Sequence, residues 1–439
     1  DRLRRPMPPF TTSSLQQDAA NKLNFTTKKT MMVAQQLYEG VEIKGRGTVG
    51  LVSYIRTDSV RVSDEARDAS RAFITENFGK EYYAGTVYSN KKKDIQDAHE
   101  AIRPSHMEIV PDSIKDLVTK DQYNLYRLIW NRFMASQMSP AKFKAVSAVI
   151  TNGDYSFKAT GSKLLFDGFL RVYSPGKDGD EDKWLPHLEK GETLEPVKLE
   201  GVQNFTQPPA RFTEASLVKD LEEKDIGRPS TYAPIVATLS DRKYIVKEKK
   251  SLVPTDLGFI VTELMEQYFR EIVDAGFTAQ MEENLDDIEV KGIQWKNVIR
   301  DFYGTLKEEL EVADKEIQKV EFEVELTGEN CEKCGKPMAV KYGRFGPFAA
   351  CTGYPECKNT KPIVKTIDVK CPVCGKDIVA RKSKKGRVFY GCSGYPECTQ
   401  SFWNKPVNKK CPECGSLLVE KKTKDSQYAC SNSECSYKE

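Results

Sequence analysis

Apolar and polar residues repeat with two different periods along this 439-residue chain, and the switches between them divide it. Residues 11–40 carry a helical period. Thr12 or Ser13 can cap a run through LQQDAANKL, and Thr26 or Thr27 can cap TMMVAQQLYE, which Gly40 stops. After Gly40, Gly45 and Gly47, the segment GTVGLVSYI is β-branched and apolar, a strand by composition. SDEARDASRAFITENFG has Ser63 as N-cap, acids in its first turn and Gly79 as its stop, which predicts a helix. From about residue 141 to 210 the period becomes two. FKAVSAVITNGDYSFKATG alternates, turns at Asn152–Gly153 and alternates again, the pattern of a hairpin. PGKDGDED reads as a solvated loop. The helical period returns from Thr213 in TEASLVKDLEEKDIG, in GRPSTYAPIVATLSDRKYI with Pro229 at the first helical position, in TDLGFIVTELMEQYF and in TAQMEENLDDIEVKG, to about residue 325. The order helix, sheet, helix predicts a multidomain α+β chain rather than one core. No apolar run approaches the roughly 20 residues that span a bilayer, so a soluble protein with no membrane partner is expected.

The last third repeats differently. Its twelve cysteines, the only ones in the chain, fall in three sets: Cys331, Cys334, Cys351 and Cys357; Cys371, Cys374, Cys392 and Cys398; Cys411, Cys414, Cys430 and Cys435. Each reads C-x2-C, a gap of 15 to 17 residues, then C-x4-5-C. Two thiolate pairs joined by a hairpin suit tetrahedral Zn²⁺, with sulfurs about 2.3 Å from the ion. A disulfide framework fits poorly, because a large cysteine-free body precedes the sets and no apolar signal segment opens the chain. Four protein ligands leave no open position, so three structural zincs are expected, each folding a unit too small for a core of its own. Reduced thiols point to the cytoplasm.

Charge and aromatics sharpen the picture of this tail. The net charge is +3, yet Cys331–Glu439 carries 21 Lys and Arg against 10 Asp and Glu, leaving 46 against 54 elsewhere. A basic tail on an acidic body suits a polyanion. GRFGPFAACTGYPECKNT is echoed by GRVFYGCSGYPECTQS, whereas YACSNSECSYKE has lost the GYPEC turn and most of the rings. Cations and rings interleave: Tyr342, Arg344, Phe345, Phe348 and Tyr354 in the first unit; Arg381, Lys382, Lys384, Lys385, Arg387, Phe389, Tyr390 and Tyr395 in the second; Phe402 and Trp403 just beyond. Exposed rings between cations suit a single-stranded nucleic acid, each stacked base contributing roughly 1–3 kcal/mol. The alternative is that half of these rings cover the zinc knuckles.

Three constellations in the body carry side chains suited to a phosphate or other anion. In SYIRTDS, period-two alternation puts Tyr54 and Arg56 on one face. A phenol ionises near pH ~10, so as a nucleophile it needs nearby positive charge, which a guanidinium supplies while it also clasps the phosphate. A tyrosine packed on a strand is the plainer reading. In DAHEAIRPS, His99 and Arg103 at i and i+4 would share a helical face ended by Pro104 and grip a phosphate, or form a surface ion pair. In IGRPSTYAPI, Arg228 and the Ser230 and Thr231 hydroxyls sit at a helix N-terminus, where N–H groups favour anions or are simply capped.

Together PPFTTSSLQQDA, GLVSYIRTDS, DAHEAIRP, PPARFTEASLVKDLEEKDIGRPSTYAPI and FTAQMEENLDDI resemble the bacterial type IA DNA topoisomerase I family, from about Pro8 to the end. The resemblance implies that Tyr54 attacks a DNA phosphodiester, leaving a 5′-phosphotyrosine link and a free 3′-OH. Strand passage and religation would then relax negative supercoils without ATP. It implies that Arg56 contacts the scissile phosphate, that His99 and Arg103 of the HEAIRP motif lie near the cleaved strand, and that Arg228, Thr231, Tyr232 and Arg242 line a single-strand groove. The implied fold is a toroid followed by three zinc ribbons, each with four cysteine ligands. Its parts would be 1–13, the end of a β-arch segment; 14–140, a helical domain with Tyr54; 141–211, the β arch; 212–325, a helical groove domain; and ribbons at 326–365, 366–405 and 406–439. A monomer acting on single-stranded regions of negatively supercoiled DNA in the nucleoid is expected, and contact of the ribbons with RNA polymerase is left open.

The family's Toprim domain, whose acidic cluster binds Mg²⁺ opposite the tyrosine, has no counterpart motif in this sequence, and the acids of DGDED read as solvated. The expectation is therefore a fragment of an enzyme that binds single-stranded DNA but is inactive alone. The rivals are a non-enzymatic single-stranded DNA-binding zinc-ribbon protein and a metal nuclease; the decatenating type IA subclass usually lacks such ribbons.

Overall fold

The computed structural model describes residues 1–43, 45–89, 99–173, 184–317, 326–343, 346–362, 366–382, 388–420, 427–432 and 434–439. The DGDED acids, Asp97 and Ala98 of the HEAIRP stretch, and Arg344, Phe345, Lys384, Lys385 and Arg387 lie outside these residues, as do the side chains of Tyr342 and Lys382. The chain forms two compact units, Asp1–Ile317 and Gln318–Glu439.

In the first unit, β1 (Arg2–Arg4) leads to α1 (Thr12–Asp18), which runs on as a π-helical turn at Ala19–Leu23. Thr11, not Thr12 or Ser13, is the N-cap. Its hydroxyl accepts the Ser14 N–H and its own N–H donates to Ser14 Oγ, a reciprocal box that fixes the start one residue earlier. Thr26 caps α2 (Thr27–Glu39), and Ser63 caps α3 (Asp64–Asn77). Between them the expected long strand is cut to a small hairpin, β2 (Val41–Ile43) with β3 (Gly47–Val49). Beyond Val49 the chain leaves the hairpin, because its backbone groups are taken by distant segments. The Leu51 N–H donates to Leu37 O at 2.8 Å, and the Ser53 N–H to Arg103 O at 2.9 Å.

Helix α4 (Lys120–Gln137), boxed by Thr119 and Gln122, runs through the core. Tyr126, Ile129 and Phe133 pack there with Phe10, Leu15, Leu37, Leu51, Ile55, Ile74 and Ile102. Buried Arg132 on this helix donates to Pro8 O at 2.7 Å and to the Tyr173 hydroxyl at 3.2 Å, and faces Asp18 at 3.4 Å. The N-terminal strand and α1 are thereby fixed to α4, and burial pushes the Tyr173 phenol far up.

Strands β4 (Ala141–Asn152) and β5 (Tyr155–Phe166) form a long hairpin, with β1 pairing at its base. The two-residue turn is Gly153–Asp154 rather than Asn152–Gly153; Gly153 takes the positive φ of +57° that the first turn position requires. Residues 184–211 contain no strand, so the sheet among the described residues stops at β5, short of residue 211. Helices α5 (Glu214–Glu223, N-cap Thr213) and α6 (Tyr232–Asp241) follow. Pro229 is not in the first turn of α6, because Arg228–Thr231 form a turn of their own before it. A hairpin of β6 (Ile245–Glu248) and β7 (Ser251–Pro254) comes next. It leads to α7 (Asp256–Tyr268), α8 (Arg270–Val273), α9 (Ala275–Val290) and α10 (Trp295–Glu316).

The second unit is three antiparallel sheets of one plan. The first is β8 (Leu326–Asn330), β9 (Pro337–Gly343), β10 (Gly346–Cys351) and β11 (Thr360–Pro362). The second is β12 (Thr366–Lys370), β13 (Asp377–Lys382), β14 (Val388–Cys392) and β15 (Ser401–Phe402). The third is β16 (Pro406–Lys410), β17 (Leu417–Glu420) and β18 (Tyr428–Cys430), without a fourth strand among the described residues. Val369 and Phe402 of the second share an apolar cluster with Leu417 and Val419 of the third.

Candidate active site and zinc ribbons

Tyr54 lies on an irregular segment, not a strand, yet alternation persists: Ile55, Thr57 and Ser59 are buried while Arg56 and Asp58 are exposed. The segment is stapled from both sides. On one side, the Thr12 hydroxyl at the start of α1 donates to Ile55 O at 2.7 Å and accepts the Thr57 N–H at 2.9 Å. On the other, the Ser53 hydroxyl donates to Ala101 O at 2.8 Å and accepts the Arg103 N–H at 2.9 Å. Gly50 passes so close to the end of α2 that a Cβ there would lie 2.9 Å from Tyr38 O.

The half-buried Tyr54 ring sits between two others. The exposed His99 imidazole stacks on it, with centroids 4.8 Å apart and planes at 30°; Tyr38 meets it edge-on at 5.5 Å and 69°. Sequence reasoning placed Tyr38 only at a helix end. Its mark was an aromatic one step off the buried Val33–Ala34–Leu37 stripe of α2.

The HEAIRP stretch is extended among its described residues, not helical, because Phe10, Ser53 and Leu51 occupy its backbone groups. His99 and Arg103 therefore do not share a helical face. Arg103 turns back on Glu100 at 2.6 Å and on Pro104 O at 3.0 Å. Burial works to raise the Glu100 carboxyl, but hydrogen bonds from Arg103 and from Ser63 outweigh it and hold the group below its ordinary value.

The other expected contacts lie around α6. Arg228 is clamped by α9, donating to Asp286 at 2.6 Å and to Glu282 O at 3.2 Å. The Thr231 hydroxyl accepts the Arg228 N–H at 2.8 Å and is spent within the turn. Tyr232 is buried with Val218 and Val236, and burial drives its phenol far up. Arg242 is exposed at the end of α6. Among the described residues neither Arg56 nor Arg242 has an ion-pair partner, so these two guanidiniums are the free cations of the set.

In the tail each set of four cysteines has its sulfurs within 4.8 Å of one another. Opposed pairs such as Cys331–Cys357 and Cys371–Cys398 stand 3.7 Å apart, close to the edge of a tetrahedron with arms of about 2.3 Å. All twelve thiols are free of disulfides. Donors face the sulfurs: the Gly353 and Gly394 N–H groups reach Cys351 and Cys392 at 3.3 Å, and Asn359 reaches Cys331 at 3.3 Å. Burial opposes ionisation of Cys331, yet Asn359 and the Lys333 and Cys334 N–H groups bring it down to about 6. The residues fit zinc. A magnesium site does not fit: among the described residues no acidic group clusters as a metal site, and the three cysteine sets are the candidate metal sites found.

The rings divide between ribbon cores and surface. Phe402 is buried, whereas Tyr354, Tyr395 and Trp403 are 63, 61 and 62% exposed. Lys341 lies 5.7 Å from the Tyr354 ring, and Arg381 lies 5.6 Å from the Tyr395 ring. Opposite Lys341 stands Phe348, opposite Arg381 stands Phe389, and the third sheet puts Glu420 opposite Tyr428. The third unit thus carries an acid where the first two carry a cation.

A family model described as DNA topoisomerase matches residues 1–300. The chain belongs to the type IA DNA topoisomerase family. A second model, described as topoisomerase DNA binding C4 zinc finger, matches residues 328–366, 368–407 and 408–439. Full-length topoisomerase I from Thermotoga maritima is 36% identical, with a TM-score of 0.65 over 88% of this chain. The chain spans 60% of that topoisomerase's length. Among the described residues no helix is long and apolar enough to cross a membrane.

Proposed function

We propose that this chain supplies the nucleophile and the strand-holding surfaces of an ATP-independent DNA topoisomerase. The Tyr54 oxygen attacks the phosphorus of one strand. The P–O bond to the 3′ oxygen breaks, that oxygen takes a proton, and the tyrosine becomes a 5′-phosphotyrosine ester. Return attack by the 3′-OH reverses each step, so the bond energy is kept and negative supercoils relax without ATP. Arg56, exposed two residues along and without an ion-pair partner among the described residues, meets the phosphate charge. His99 and Arg103 lie along the same strand, and Arg228, Thr231, Tyr232 and Arg242 belong to its groove. Arg242 reaches phosphate directly, whereas Arg103 and Arg228 must first exchange their carboxylate partners.

Magnesium chemistry belongs to acids from a complementary metal-binding half, and no step assigned to these residues passes through it. Zinc folds the ribbons, whose exposed rings and cations hold single-stranded DNA. The setting is a monomer on nucleoid DNA in a reducing cytoplasm, the domain limits being those of the sequence reading. Contact of the ribbons with RNA polymerase belongs to the same proposal only as a further use of that basic face.

The observation that carries this reading is the fixed Tyr54 ring, held by His99 on a segment stapled at Thr12 and Ser53. Trapping on labelled single-stranded DNA, with the metal-binding half supplied, tests it. Tyr54→Phe abolishes the covalent adduct; an adduct that survives this change rules the reading out.

A further inference from the structure

We infer that Tyr38 is a positioning residue for Tyr54, acting through its ring and not its hydroxyl. This rests on the reading of Tyr54 as the nucleophile. Tyr38 is no core residue: it lies in the last turn of α2 and is 39% exposed, and among the described residues its hydroxyl has no hydrogen-bond partner. Its one aromatic contact among those residues is with Tyr54, edge-on at 5.5 Å. The two residues come from segments locked together by the Leu51–Leu37 hydrogen bond and by the close pass of Gly50. His99 covers the Tyr54 ring by stacking, and Tyr38 supplies a second, edge-on contact. With both in place the ring has little freedom to swing, and the phenol oxygen is presented in one direction. A nucleophile that must find its phosphate from many rotamers reacts more slowly. Edge-on aromatic pairs carry enough energy to shift such a population about 2- to 10-fold.

The test places 3-fluorotyrosine at position 54 and compares Tyr38→Leu with Tyr38→Phe by ¹⁹F NMR on the full chain. Adduct formation is timed in parallel with the metal-binding half supplied. Tyr38→Leu is expected to move and broaden the resonance and to slow adduct formation about 2- to 10-fold at unchanged strand affinity. Tyr38→Phe, which keeps the ring, restores both. A resonance and rate unchanged in Tyr38→Leu overturn the inference, and so does a Tyr38→Phe variant as slow as Tyr38→Leu. Failure of the underlying reading looks different: Tyr54→Phe then keeps the adduct, whatever Tyr38 does.

Discussion

The Glu214 carboxylate accepts the backbone N–H of Thr27 at 2.8 Å, so a residue of α5 occupies the N-terminus of the helix that carries Tyr38 in its last turn. Glu214 is 7% exposed, and its other oxygen takes Lys247 at 2.7 Å. A carboxylate at a helix N-terminus meets both free N–H groups and a favourable dipole. The body helices before and after the long hairpin are joined here by one buried charge.

Removing that charge leaves Thr27 and Lys247 without their partner. Glu214→Ala is expected to destabilise the first unit by about 1–3 kcal/mol, seen as a lower urea midpoint. An unchanged midpoint would mean that the carboxylate is dispensable.

Acid should loosen the His99 side of the site. The folded Glu100 lies below its ordinary value of 4.5, so its contribution is fully present above that pH and is lost as pH falls through the lowered folded value. Glu100→Gln is expected to melt lower than the parent at neutral pH, the difference shrinking on acidification below the ordinary carboxylate range. A difference that stays constant with pH would remove Glu100 from the account.

Much of this was open to a reader of the sequence, for a local reason. Thr26, Ser63 and Thr213 cap their helices because a hydroxyl before a helical run needs only its own neighbours. The cysteine sets were legible for the same cause: spacing alone brings four sulfurs together. Apart from one-residue shifts at the α1 cap and the hairpin turn and the place of Pro229, the misreadings are non-local. Val52 and Ile55 have strand character, but the distant HEAIRP stretch on one side and Thr12 on the other claim that backbone. His99 and Arg103 have helical spacing, yet pairing with Phe10 and Ser53 draws them out straight. The burial of Tyr232 and the edge contact of Tyr38 depend on how helices pack, which no window of sequence contains.

Zinc should be needed by the tail and not by the body. The chain is expected to hold three zinc ions, and Cys374→Ser two, by metal analysis. Chelation should abolish the fold of the ribbons while leaving the unfolding of the first unit intact. Loss of the body's transition on chelation would contradict the division.

Strand binding by the tail should be unequal among the ribbons. Tyr354→Leu and Tyr395→Leu each remove an exposed stacking ring and should weaken binding of a short oligo-dT about 5- to 100-fold. Glu420→Lys should instead strengthen it, since it restores a cation where the first two ribbons have Lys341 and Arg381. Fluorescence anisotropy reads both; equal affinities across the set would show that the rings do not stack on DNA.

This chain alone is expected to bind single-stranded DNA and to leave supercoiled plasmid unrelaxed in Mg²⁺. Turnover in a relaxation assay would contradict the assignment of magnesium chemistry to a complementary half.

The central claim is that one phenol oxygen becomes joined to broken DNA. Mass spectrometry of the protein stalled on single-stranded DNA, with the metal-binding half supplied, reads it directly. The account predicts a nucleotide attached to Tyr54, while attachment to any other side chain would contradict it.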